Sequence, residues 1–361
     1  MRSFQITDRE AGGRLDKYLF RVLEEAPAGF VYKMLRKKNI VLNERKASGA
    51  EILAKGDEVR LYLSEETFLK FAPSFAARNT DAQDSAGLRD DGAACPSNAS
   101  GETALEIVYE DEDILVINKP AGLLSQKAKP EDDSANDRVI AYLLESGQMT
   151  EEDLRTFRPS ICNRLDRNTS GLLIAGKTLR GLQETAELLR GRALKKYYHA
   201  LVAGRVSDSQ TLSGYLIKDE KTNRVRIVNP DEREAAESPE AYEPEFGGSS
   251  GKEAGAWIET AYRPLESYGD ATLLEVRLIT GKTHQIRAHL ASIGHPILGD
   301  GKYGDETRNR ALEEAAGIRG QLLCACRMEF PDGRIFEIPD PESFRIAEEW
   351  LARSEENRAD R

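Results

Sequence analysis

The sequence predicts an α+β protein: a small helix-rich unit at the N-terminus, then a larger domain built on a mixed, mainly antiparallel β-sheet. Three observations carry this. Residues 12–63 twice place apolar side chains at helical spacing and then turn into short strands. From Leu105 onward, strand-like runs separated by turn residues dominate. Between the two lies a stretch rich in Ala, Ser, Asp, Asn and Gly, which cannot bury enough apolar surface to offset its ordering entropy. A chain of 361 residues is also long enough for two or three domains.

In the N-terminal unit, Leu15, Tyr18, Leu19, Val22 and Leu23 define a first amphipathic helix beginning near Gly13. A second, Phe30 to Lys38, puts Val31, Met34 and Leu35 on one face and Lys33, Arg36 and Lys37 on the other. Ile40 to Asn43 and Glu58 to Leu63 read as strands, the latter entered through a turn at Lys55-Gly56-Asp57. We expect this unit to span 1–64, a flexible linker to span 65–104, and the sheet domain to span 105–352, with a short tail at 353–361. Within the sheet domain, Ile107 to Tyr109, Ile114 to Asn118, Lys195 to Val202, Leu212 to Ile217, Arg224 to Val228, Trp257 to Tyr262 and Leu273 to Leu278 are expected strands. So are the runs near Leu322 to Phe330 and Arg334 to Ile338. Helices are expected at Asp137 to Glu145, Leu182 to Leu189, His284 to Ser292 and from Glu342, and a Gly- and Ser-rich surface loop at 231–256.

Composition narrows the function. No run of about 18 apolar residues exists, and the first residues lack a signal peptide's apolar stretch, so a cytoplasmic protein without a membrane span is expected. The four cysteines fit a reduced compartment, and Cys324-Ala325-Cys326 has the wrong spacing for zinc. The formal net charge of −11 argues against a nucleic-acid partner, but phosphate binding depends on where cations sit. Residues 12–63 carry eleven Lys or Arg against seven Asp or Glu, so a basic unit sits inside an acidic protein.

Two patterns mislead. Gly171 to Thr178 satisfies G-x-x-x-x-G-K-[ST], the phosphate-binding loop expression, yet its intervening residues are Leu, Leu, Ile and Ala, the composition of a buried strand. His284 and His289 stand five apart rather than four, and only His199 and His295 remain, so no metal site is expected.

Three segments point elsewhere. Arg164-Leu165-Asp166-Arg167-Asn168-Thr169-Ser170-Gly171 sets one acid between two arginines ahead of the apolar run. Lys196 to Gly204 carries Tyr198 on a strand, and Gly281 to His289 carries Lys282, His284 and Arg287. Together with Asn118-Lys119-Pro120-Ala121-Gly122 and His295 to Asp300, these resemble the core motifs of the RluA family of pseudouridine synthases. The N-terminal unit resembles an S4 RNA-binding domain, in its Arg14-Leu15-Asp16 opening and its Leu35 to Asn43 turn into strand. One departure is plain: Asn163 stands where the family usually has histidine. Asparagine keeps hydrogen bonding but removes any role for a titrating imidazole.

The resemblance implies the pseudouridine synthase fold and an RNA uridine as substrate, most closely in large-subunit (23S) ribosomal RNA. It implies Asp166, Tyr198 and Arg287 as catalytic residues, Arg287 being the charge partner of Asp166. Arg164, Arg167, Thr169, Lys282 and His284 are implied substrate contacts, and Arg14, Lys33, Arg36, Lys37 and Lys38 an RNA-binding face. No metal or organic cofactor is required, and a monomer is expected. Two alternatives stand beside this: a non-catalytic RNA-binding or ribosome-assembly factor retaining the fold, and a P-loop nucleotide hydrolase.

Overall fold

The computed structural model describes residues 1–75, 105–219, 222, 224–228 and 255–359. The expected linker beyond residue 75 and, of the expected loop at 231–256, residues 231–254 therefore lie outside the described residues, as does Cys95. The chain divides into two compact units, the first being Met1–Val116, Ala135–Cys162 and Ile174–Ala186, the second Ile117–Ser134, Asn163–Leu173 and Glu187–Arg361.

The first unit begins with β1 (Arg2–Gln5), α1 (Leu15–Val22), α2 (Ala28–Arg36), β2 (Ile40–Leu42), β3 (Arg45–Lys46) and β4 (Glu58–Leu61). Its sheet runs β1-β4-β2-β3, all antiparallel. Leu15, Leu19, Val22, Val31, Leu35, Ile40, Val59 and Leu61 form one core. Each such side chain stabilises the unit by about 1.5–3 kcal/mol relative to exposure. The apolar spacing places α1 and α2 within two residues of their expected ends; β1 was not anticipated, because only Phe4 and Ile6 mark it.

Ordered chain continues past residue 64, into the stretch expected as linker. Ser64 caps α3 (Glu65–Phe71), its Oγ accepting the Thr67 N–H at 3.2 Å, with Glu65 and Glu66 in the first turn where the helix dipole favours acids. A 3₁₀ turn at Pro73–Phe75 follows, and Phe68 and Phe75 join the same core. Composition alone missed this because the low-complexity character begins only after Ala72.

The first unit also holds β5 (Glu106–Glu110), the start of β6 (Ile114–Lys119), α4 (Ala135–Glu145), α5 (Asp153–Thr156) and β7 (Ser160–Ile161). It takes the end of β8 (Ser170–Gly176), where β7 pairs antiparallel, and most of α6 (Leu179–Arg190).

The second unit is built on a large, mainly antiparallel sheet. Its strands are β9 (Lys195–Ala203), β10 (Gln210–Asp219), β11 (Arg224–Val228), β12 (Ala256–Tyr268), β13 (Ala271–Leu278), β14 (Leu323–Glu329) and β15 (Ile335–Glu337). The order is β11-β10-β12-β13-β9-β14-β8, with β15 on β14. Every pair in that run is antiparallel except β14 with β8. Helices α7 (Gln285–Ser292), α8 (Glu306–Ala316) and α9 (Glu342–Ala359) complete it.

Several boundaries move for identifiable reasons. The strand expected to end at Tyr262 continues as β12 to Tyr268, passing through a register shift between Pro264 and Glu266, where a missing N–H is tolerated. Helix α8 was not expected; Asp305 caps it, its carboxylate accepting the Arg308 N–H at 2.9 Å. Helix α9 runs through Ala359, into the residues expected as a tail. Gly171 to Gly176, which mimics a phosphate loop, is buried strand throughout. Gly171 has φ +114°, and a Cβ there would stand 2.4 Å from the Ala325 carbonyl oxygen, so the close approach of β14 demands glycine.

Cys324 and Cys326 are buried and Cys162 partly so, all free thiols. Burial pushes Cys162 up to about 11 and Cys324 up to about 12, which keeps them neutral and inert.

Candidate active site

The loop from Asn163 to Thr169 is fixed at alternate residues. Ser125 Oγ donates to the Leu165 carbonyl at 2.8 Å and accepts the Leu165 N–H at 3.0 Å. The Arg167 carbonyl accepts the Gly122 N–H at 2.9 Å and Lys119 Nζ at 3.1 Å. Thr169 closes the turn, its N–H on the Asp166 carbonyl at 3.0 Å and its Oγ1 accepting from Gln321 Nε2 at 3.2 Å. Asp166 is thus held between two clamped neighbours, with its side chain one quarter exposed.

Lys119 is fully buried and also reaches the carbonyls of Pro120 and Leu123, at 2.9 and 2.8 Å. Burial lowers its pKa to about 8, against the opposing pull of the Asp166 charge. It ties the Pro120–Leu123 turn to the Asp166 loop, which gives the Asn-Lys-Pro segment a physical role.

Helix α7 brings the opposite charge. Gln285 uses its whole amide: Oε1 accepts from Thr280 Oγ1 and the Lys282 N–H, at 2.9 and 3.1 Å. Its Nε2 donates to the Glu259 carbonyl and Thr260 Oγ1, both at 2.9 Å. His289 Nδ1 lies 2.9 Å from the same Thr260 Oγ1, so one turn of α7 is pinned to β12. Arg287 then projects from an anchored frame. Its Nη1 donates to Asp166 Oδ2 at 2.7 Å, while Nε and Nη2 grip Asp300 at 2.7 and 2.8 Å. Asp300 Oδ1 is itself held by the N–H groups of Lys302 and Tyr303, at 2.8 and 3.1 Å.

Burial works against the Arg287 charge, but Asp300 and then Asp166 outweigh it and raise its pKa. Burial likewise opposes ionisation of Asp300, and Arg287 with the two N–H groups holds its carboxyl below the ordinary value. Arg287 and Asp300 are therefore both charged, and Asp166, at the far end of the chain of contacts, opens on the cleft.

Arg164, Asp166, Thr169, Tyr198, Lys282, His284 and Arg287 line that cleft. Arg164 and Lys282 are exposed, Thr169 is buried, and Tyr198 is only 4% exposed. Burial first, then the Asp166 charge, raises the Tyr198 phenol well above its usual range, so it stays protonated. Arg167 is the expected contact that does not line the cleft; its backbone carbonyl is the part in use. Asn163 donates to the Leu172 carbonyl at 3.4 Å. His284, expected as the first residue of α7, instead precedes it with φ 56° in the left-handed region. On the first unit, Lys33, Arg36, Lys37 and Lys38 are exposed, and Arg14 pairs with Asp16 at 2.7 Å.

Asp300, Tyr303, Ser125 and Gln321 were not anticipated as site residues. Only Asp300 had a sequence signal, an acid after Gly299, and nothing in its spacing identifies Arg287 as partner. Among the described residues no group of His, Cys, Asp and Glu could hold a metal ion, and no helix is long and apolar enough to cross a membrane.

A carboxylate fixed by a doubly anchored arginine beside a neutral phenol suits attack on, or stabilisation of, an electron-poor sugar carbon. Comparison with known proteins agrees. Residues 113–292 match the model of the RNA pseudouridylate synthase family. The chain is 30% identical to ribosomal large subunit pseudouridine synthase C of Vibrio cholerae, over 90% of this chain and 87% of that one. It is 31% identical to the Escherichia coli protein of the same name, over 93% and 91%. Among solved structures, human RNA pseudouridylate synthase domain containing 4 aligns with a TM-score of 0.50 at 22% identity, over 69% of this chain and 93% of that one. That likeness concerns the fold alone. With the relatives at 30% identity and above spanning nearly the whole chain, this protein belongs to the RNA pseudouridylate synthase family.

Proposed function

We propose that the protein isomerises uridine to pseudouridine in large-subunit ribosomal RNA, with Asp166 as the catalytic carboxylate. The observation that carries this is Asp166 held at 2.7 Å by Arg287, itself locked on Asp300, inside a cleft that also holds Tyr198. The names of the relatives, ribosomal large subunit pseudouridine synthases, support the choice of RNA.

The reaction breaks the C1′–N1 bond, turns the uracil and joins C1′ to C5. Asp166 acts on the sugar, as nucleophile at C1′ or base at C2′, and both roles need it ionised. Arg287 lies against it as a countercharge and fixes its direction. Tyr198 packs against the uracil and guides departure of the C5 proton. Arg164, exposed and planar, fills the space left by the flipped base, whose unstacking costs a few kcal/mol. Thr169 fixes the loop, and Lys282 with His284 contacts the nucleotide. Arg167 contacts the RNA backbone from its exposed side chain. The N-terminal unit acts as an S4-type module, docking RNA through Arg14, Lys33, Arg36, Lys37 and Lys38. The enzyme works as a cytoplasmic monomer without metal or organic cofactor. The nucleotide-hydrolase alternative fails on geometry, since the Gly171–Gly176 backbone is paired strand and cannot cradle a phosphate.

The test is tritium release from large-subunit RNA labelled at uridine C5, with site-resolved pseudouridine mapping in a strain lacking the gene. Release by the pure protein, and loss of defined pseudouridines restored by the gene, are the expected results. An unchanged map would favour the non-catalytic assembly factor.

A further inference from the structure

Five non-glycine residues have positive φ among the described residues, and of these only His284 lines the cleft. A non-glycine residue in this region is strained by the order of 1 kcal/mol or more, and persists where the surroundings fix it. Here the fixing partner is Tyr303, whose ring meets the imidazole edge-on with centroids 5.7 Å apart.

The hydrogen bonds fit the tautomer that carries its proton on Nε2. Tyr303 Oη accepts the Val225 N–H at 2.9 Å and lies 3.0 Å from His284 Nδ1. A phenol has one proton to give; donated to Nδ1, it makes that nitrogen the acceptor and leaves the ring proton on Nε2. Nε2 lies 3.9 Å from Asp166 Oδ2, too far for a direct hydrogen bond, so the N–H addresses the cleft beside the carboxylate. Burial, aided by the Arg287 charge and opposed by Asp166, lowers the imidazole pKa, so the ring is neutral.

The reaction needs a donor there. When C1′–N1 breaks, the bonding pair stays on the uracil and spreads over N1, O2 and O4. Arg287 already directs Nε, Nη1 and Nη2 at two carboxylates, which leaves it poorly placed to receive that charge. Building on the function proposed above, we infer that His284, as the neutral Nε2–H imidazole, is a further catalytic residue. It donates a hydrogen bond to a uracil carbonyl oxygen and so stabilises the uracil anion released from the sugar. No proton is transferred to the ring by His284. After C1′ joins C5, the C5 proton leaves to solvent and N1 takes one up, so the product is neutral.

The test compares two leaving groups. Single-turnover cleavage of the C1′–N1 bond is followed in RNA carrying uridine or 5-fluorouridine at the modified position, with wild type, His284→Ala and His284→Gln. Fluorine withdraws electron density and makes the uracil anion less dependent on a donor. Removing a preorganised donor slows reactions by about 10²–10³-fold, so His284→Ala should lose about 10²-fold on uridine. The loss on 5-fluorouridine should be at least severalfold smaller, and His284→Gln, whose amide N–H can reach the same space, should recover part of the uridine rate. Equal losses on both substrates, or no gain from Gln over Ala, would overturn the role while leaving the enzyme a pseudouridine synthase. A wild type that never cleaves uridine would instead remove the functional reading beneath it.

Discussion

The tripeptide Arg-Leu-Asp occurs twice, at Arg14–Asp16 and Arg164–Asp166, and the two copies reach opposite arrangements. In the first, Arg14 closes on Asp16 through Nε and Nη2, at 3.1 and 2.7 Å. Asp16 also takes the Lys17 N–H and the Tyr32 hydroxyl, and its side chain is 3% exposed. The pair completes the entry to α1. In the second, Arg164 is exposed with no ion pair among the described residues, and Asp166 reaches Arg287, 121 positions away. The difference lies in the backbone. Helix entry folds Arg14 and Asp16 together, whereas Ser125 fixes the Leu165 backbone, Lys119 fixes the Arg167 carbonyl, and Asp166 turns to Arg287 instead. The locally closed pair neutralises its own acid, whereas the opened one leaves that acid to a distant partner and to chemistry.

The comparison breaks most visibly at Asp166. Asp166→Asn should lower tritium release by about a thousandfold or more while RNA binding persists, since a neutral amide can serve neither as nucleophile nor as base. Undiminished turnover would make the opened pair as structural as the closed one. Asp300→Asn should come next, because freeing one side of Arg287 unsettles its aim: kcat should fall by about 10- to 100-fold. Removing one partner of so buried a pair should also cost about 3–5 kcal/mol of stability, read from urea unfolding. Preserved kcat would show that Asp166 alone orients the arginine.

The anchoring of α7 has a pH signature. His289 is 1% exposed and burial lowers its pKa from 6.5 to about 4, so the native state favours the neutral ring. The unfolded chain binds the extra proton first, so stability is complete above about pH 6.5 and declines as pH falls towards 4, by up to ~3 kcal/mol. His289→Gln should abolish that part of the decline, measured by denaturation at each pH. An identical slope in the variant would mean that other groups govern it. The smallest effect belongs to the closed pair: Asp16→Asn should cost about 1 kcal/mol of stability and leave kcat on saturating RNA unaltered. A large kcat loss would contradict its architectural assignment.

Legibility followed the range of the interactions. The helices α1 and α2 were readable because Leu15, Leu19, Val31 and Leu35 repeat at one turn's spacing. The strand character of Gly171 to Gly176 was readable because four consecutive apolar residues leave a phosphate nothing to hold. Asp166, Tyr198 and Arg287 were reachable as a set only through motif resemblance; no periodicity links positions 121 residues apart. Asp300 escaped because its function is defined by a partner on another element, and the setting of His284 because Tyr303 meets its ring only through the fold. Helix α3 escaped for a different reason: its capping serine and acidic first turn stood at the edge of a segment whose average composition is that of a linker.

The doubly engaged Arg287 also bears on inhibitor design. Because its donors already face Asp300 and Asp166, a ligand bearing a carboxylate or sulfonate gains little from that arginine and meets the net negative charge of the trio. A compound with a cationic ring nitrogen at the sugar position, copying the positive character that C1′ acquires, would find the open side of Asp166 instead.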